Sequence, residues 1–157
     1  MLPVNLASCK ASIIALFLMF ACIACTPEKK QETTPLVIDN SLCNFHYAAC
    51  TKQVDNIQLS LLITPLSTPS EKPLTLTISS SEPISNVKVH VEGRDMFMGI
   101  IPVNITQTNE TEYNGEFIFG SCSSNYMVWR TFVSFIKNGE QHVAIFDFLA
   151  DNNKINK

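Results

Sequence analysis

Hydrophobic and polar residues alternate with a period of two through much of the second half of the chain. Val87, Val89 and Val91 are interleaved with Lys88, His90 and Glu92, while Ile101, Val103 and Ile105 are interleaved with Pro102, Asn104 and Thr106. Successive side chains of a strand point to opposite faces, so each run predicts a strand with one buried and one wet face. Segments rich in Val, Ile, Thr and aromatic residues follow one another at 56–63, 74–80, 84–93, 96–107, 112–119, 126–137 and 141–149. Turn chemistry separates several of them. Three prolines lie within 65–73, and Ser81-Glu82-Pro83, Thr108-Asn109-Glu110 and Asn138-Gly139 break the pattern elsewhere. No comparable helical period occurs. The expectation is an all-β fold, an immunoglobulin-like antiparallel β-sandwich of about seven strands, with the strand order left open.

The N-terminal part reads differently. Residues 1–10 carry one basic side chain, Lys10, and residues 11–24 are an uncharged run of 14. Spanning a bilayer takes about 20 residues, so the run predicts a signal peptide over 1–24 rather than a permanent membrane helix. The run ends in Cys22-Ile23-Ala24-Cys25, which resembles the cleavage box of bacterial lipoproteins, except that Cys22 stands where that family usually has Leu. That resemblance implies cleavage before Cys25 and lipidation of Cys25. Met19-Phe20-Ala21-Cys22 is an alternative box, and an ordinary secreted protein cut nearby is the plainer alternative. Acyl chains contribute about 0.8 kcal/mol per buried methylene, so two or three of them make an effectively permanent membrane anchor. Thr26, rather than Asp, follows Cys25, which by resemblance to sorting in enteric-type bacteria favours the outer membrane, facing the periplasm. Residues 26–35 contain no hydrophobic side chain and are bounded by prolines, so 25–35 is expected to be a lipidated Cys and a flexible tether, with the β-domain over 36–157.

Composition narrows the function classes. Only 16% of the 157 residues are charged, and the net charge is −3. There is no basic field for nucleic acid. A G-x-S-x-G turn is absent from Gly120-Ser121-Cys122-Ser123-Ser124, and Cys122 has no cysteine two residues away, so a catalytic role has little support and the chain is expected not to be an enzyme. Arg94-Asp95 reads as a surface ion pair of small energetic weight.

The cysteines and methionines carry the candidate chemistry. Cys43 and Cys50 flank six residues just ahead of the first expected strand, and an oxidising envelope favours a disulfide between them. Cys122 is then left over. The alternatives are that Cys122 is simply buried, or that it pairs with one of the other two. Met96 and Met98 share a face if they lie on a strand. Extending the alternation back through Gly99 turns both outward and Phe97 inward, and a bulge at Gly99 reverses this. Met127 follows Cys122 by five residues, next to Trp129. Thiolate and thioether donors together select Cu(I), so Met96, Met98, Cys122 and Met127 are a candidate Cu(I) site at one end of the sandwich. The alternative for Met127 is a core residue packed on Trp129. His46 reads as an exposed loop residue and His90 as a wet-face residue; His142 offers nothing to choose by.

Glu92-Gly93-Arg94-Asp95-Met96-Phe97-Met98-Gly99, Pro102-Val103, Tyr113-Asn114-Gly115-Glu116, Gly120-Ser121-Cys122 and Met127-Val128-Trp129-Arg130 together resemble the periplasmic domain of the YtkA-like and FixH families. The resemblance covers about residues 74–136. It departs from the FixH pattern in having Cys122 in the loop and in lacking a retained transmembrane anchor. The resemblance implies a membrane-associated sandwich concerned with copper or respiratory-oxidase maturation. Two functions are therefore expected in competition. One is a lipid-anchored Cu(I) carrier that serves a copper-accepting protein. The other is a structural or protein-interaction lipoprotein without metal, in which the same Met and Phe residues form a partner surface.

Overall fold

The alternating segments do form strands in the computed structural model, which describes residues 39–121 and 126–152. In chain order these are β1 Leu42–Cys43, β2 Cys50–Val54, β3 Ile57–Thr64, β4 Leu74–Ser80, β5 Ser85–Gly93, β6 Ile100–Asn109, β7 Glu112–Phe117, β8 Val128–Lys137 and β9 Glu140–Leu149. They join in one sheet with the order β1-β9-β8-β5-β6-β7-β4-β3-β2. Every pairing is antiparallel except that of β1 with β9, which is parallel. The all-β class expected from sequence holds. Among the described residues the strand count is nine rather than about seven, in one mixed sheet that is nearly closed into a barrel.

β6 makes the closure. Ile100, Ile101, Pro102 and Val103 pair with β5, whereas Asn104 to Asn109 pair with β7, so one strand carries the sheet round a corner. β2 and β9, near the two ends of the strand order, come to lie against each other. The buried face follows the alternation: Leu59, Leu61 and Ile63 on β3, Leu76 and Ile78 on β4 and Phe146 on β9 are wholly buried. Each such side chain contributes about 1.5–3 kcal/mol relative to exposure. Tyr113 is buried as well and donates its hydroxyl to the Ile84 carbonyl at 2.6 Å. Burial pushes its phenol up from the ordinary range.

β1 and β2 were invisible to the pattern because β1 has only two residues and β2 is an edge strand of mixed exposure. A Cys43–Cys50 disulfide joins them, with the Cα atoms 5.3 Å apart, which is the pairing favoured from sequence. Phe45, inside the small loop that the disulfide closes, is buried and meets Phe148 of β9 with ring centroids 6.0 Å apart.

Candidate functional site

The loop joining β5 to β6, residues 94–99, holds two of the four expected ligands. A Cβ on Gly93 would collide with the Met96 carbonyl oxygen and would lie 3.3 Å from Met98 Cγ. Glycine is therefore what lets this loop fold back over the end of β5. Gly99, with φ at +82°, is the second hinge, in a region that L side chains rarely adopt, and it turns the chain into β6. This corrects the expected strand over 96–107, which begins only at Ile100. Phe97 was expected to point inward; it is instead 85% exposed, because alternation has no meaning across the turn. Met96 and Met98 are partly exposed, at 41% and 36%.

Gly93 is paired with Trp129 of β8. Val89 and Val91 on β5 are buried, so the Cβ that Gly93 lacks would point to the same inner face, and Met98 packs beside that position. Met127 lies two residues before Trp129 on the chain and is 6% exposed. Its carbonyl accepts the Ala150 amide at 2.9 Å, and the neighbouring Val128 carbonyl accepts the Arg94 amide at 2.9 Å. The floor beneath is aromatic: Phe119 meets Trp129 at 4.8 Å between centroids and Phe148 at 5.9 Å. Trp129 Nε1 is buried, with no hydrogen-bond partner among the described residues. Met96, Met98 and Met127 thus belong to one end of the sheet, with Met127 also part of the apolar core, as its plainer reading expected. Cys122 lies outside the described residues, as does Cys25. The flanking Ser121 is tied to Glu71, whose carboxylate accepts its hydroxyl at 2.6 Å.

A network of charges that the sequence did not reveal braces the same end. Arg94 reaches Asp39 at 2.7 Å, Asp95 at 3.0 Å and Asp147 at 3.5 Å. Arg130 grips Asp147 through both oxygens, at 2.8 and 2.9 Å. Only the Arg94–Asp95 neighbour pair was readable beforehand. Hydrogen bonds from the Ser41 side chain first, and from Arg94 second, hold the Asp39 carboxyl down at about 2. The Arg94 guanidinium is pushed further up by Asp95 first and by Asp39, against its partial burial, and Asp147 does the same for Arg130.

His46 reaches the segment that follows β9 near this end, whereas His90 and His142 lie along the sheet. His46 is exposed, with Nε2 3.2 Å from the Asn152 carbonyl oxygen. His90 stacks on Phe132 at 4.7 Å, and His142 Nδ1 is 3.0 Å from Asp55. Among the described residues no group of three or more His, Cys, Asp and Glu side chains could hold a metal ion. The loop-bearing end thus brings thioethers over an aromatic floor, beside the ion-paired carboxylates of Asp39, Asp95 and Asp147.

No family model and no curated protein matches the chain. Two solved structures are similar to it in part. One is a DUF4785 family protein from Legionella pneumophila, with 16% identity and a TM-score of 0.45, over 59% of this chain and 28% of that one. The other is the GAE domain of GGA2p from Saccharomyces cerevisiae, with 15% identity and a TM-score of 0.38, over 67% of this chain and 99% of that one. The match thus spans under a third of the Legionella protein.

Proposed function

We propose that this chain is a lipid-anchored protein of the bacterial cell envelope that holds Cu(I) at the loop-bearing end of an immunoglobulin-like sandwich and passes it to an acceptor protein. The ligands are Met98, Met127, Met96 and Cys122. The observation that carries this reading is the placement of Met98 beside the missing Cβ of Gly93, across the strand pair from Trp129, two residues from Met127. Two thioethers far apart in sequence reach one end of the fold, and Cys122 precedes Met127 by five residues in the chain.

Soft donors suit this ion. Thioether and thiolate sulfur favour Cu(I) over the harder divalent ions, and Cys122 gives up its proton when it binds. The end has a fixed side and an open side. Met127 is buried and held through its own and its neighbour's carbonyl, whereas Met96 and Met98 are partly exposed on a loop hinged by two glycines. That asymmetry suits a carrier: an incoming sulfur from an acceptor displaces an exposed methionine first, while Met127 keeps its place. Similarity of the Met96 to Gly99, Cys122 and Met127 to Arg130 segments to the YtkA-like and FixH domains supports the same reading, as does the lipoprotein-like box at Cys25 for a periplasm-facing position on the outer membrane. No catalytic step is part of the proposal.

Anaerobic Cu(I) titration against a competing chelator tests it. Binding that is lost on replacing Met98 or Cys122 supports the carrier. Absence of binding, with Cys122 in a disulfide, overturns it and favours a metal-free interaction module. One observation speaks for that second reading: Phe97, at 85% exposure between two methionines, is what an adaptable contact surface presents.

A further inference from the structure

We infer that the loop tip around Phe97 contacts lipid, seating the loop-bearing end of the domain on the membrane to which Cys25 is attached. The inference rests on the lipoprotein reading and adds an orientation to it, in which the acceptor that takes metal from Met96 and Met98 is itself at the membrane surface. Phe97 is 85% exposed, Ile100 61%, Met96 41% and Met98 36%. Four large apolar side chains within five residues, three on the loop and Ile100 at the start of β6, form an apolar tip far denser than the scattered single residues of an ordinary surface.

The place where the rest of the chain joins the domain selects the occupant. The described structure begins at Asp39, and Asp39 is bonded to Arg94, the first residue of the same loop, at 2.7 Å. Cys25 precedes Asp39 by 14 residues. Fully extended, that length reaches about 50 Å, so the tether favours the end at which it joins without by itself excluding the other. β8 and β9 run ten residues each away from this end. At about 3.3 Å per residue, the β8–β9 turn lies some 30 Å further from the point of attachment. Both ends carry paired charges, and the run of exposed apolar side chains from Met96 to Ile100 is at the loop-bearing end. Around the β8–β9 turn stand Asp55, Glu82, Lys137, Glu140 and His142, a charged rim suited to water. At the loop-bearing end Arg94 and Arg130 are matched against Asp39, Asp95 and Asp147, so the tip offers no net positive charge to anionic lipid. Contact there is by apolar insertion and does not depend on lipid charge.

Fluorescence of the lipidated full mature chain, reconstituted in phosphatidylcholine vesicles, tests this. The native Trp129 is buried, so an indole added by Phe97→Trp is read as the difference from wild type. With bromine-labelled lipid, the added emission is expected to be blue-shifted and quenched. An indole added by Glu140→Trp, at the opposite end, is expected to emit as in water. Vesicle flotation on the same samples separates the two readings. Protein that floats while the indole at position 97 stays unquenched overturns the orientation, as does equal quenching at position 140. Protein that does not float overturns the anchor and the inference with it.

Discussion

Met98 packs beside Gly93, with its Cγ 3.3 Å from where a Cβ on that glycine would stand. The same added carbon would strike the Met96 carbonyl, and backbone yields less readily than a flexible side chain. Gly93→Ala is therefore expected to pry the loop open, lowering stability by about 1–3 kcal/mol, the range for forced overpacking. Cu(I) affinity should fall in the same variant, because the loop bears Met96 and Met98. Denaturant titration and chelator competition on one preparation check both. Unchanged affinity would separate the loop from the metal.

The charge network predicts a ranking. Asp147 is nearly buried and holds both Arg130 and Arg94, whereas Asp39 holds Arg94 from an open position. Asp147→Asn leaves two guanidinium groups facing each other with one fewer anion and is expected to cost about 1.5–3 kcal/mol, the scale of hydrogen bonds to charged groups. Asp39→Asn is expected to lower the unfolding midpoint by less than Asp147→Asn does. Equal effects of the two would contradict the geometry.

Acid should release the Asp39 contact late. Its carboxyl is held at about 2, below the ordinary 3.8, so the folded state favours the charged form. Whatever stability this contributes is present above pH 3.8 and is lost as pH falls through about 2. Carboxyl-detected NMR of the folded chain should show Asp39 titrating near the lower value. A midpoint near the ordinary one would mean that Ser41 and Arg94 do not hold it.

Much of the sheet was legible because alternation is a local property. Val89 and Val91 are buried, with Lys88 exposed and His90 and Glu92 intermediate, and β4 spans the expected 74–80. The same rule failed at Phe97. Alternation assumes an unbroken strand, and Gly93 and Gly99 together bend the chain between them out of it. The convergence of Met98 and Met127 on one end depends on β5 pairing with β8, and the Asp39–Arg94 bond joins residues 55 apart. Neither is written in any local spacing. For Arg94, the adjacent Asp95 drew attention away from partners that only the strand order supplies.

The disulfide should be separable from the site. It closes a loop of eight residues, counting both cysteines, next to β9 rather than at the β5–β6 loop. Replacing both Cys43 and Cys50 by Ala is expected to lower stability by about 2.5 kcal/mol on the chain-entropy account. Cu(I) stoichiometry should be unchanged. Loss of metal binding in this variant would place one of these sulfurs among the ligands.

In the proposed carrier, sulfur from the loop and from Met127, just before β8, holds one Cu(I). The most direct test is anaerobic Cu(I) titration of the mature chain, with Met98→Leu and Met127→Leu measured beside it. Methionine to leucine nearly conserves volume and should cost less than about 1.5 kcal/mol, so the fold survives to be measured. A single bound Cu(I) is expected in the native chain, with binding lost in Met98→Leu and weakened in Met127→Leu at nearly unchanged stability. Native-strength binding in both variants, or no binding in the native chain, would contradict the carrier.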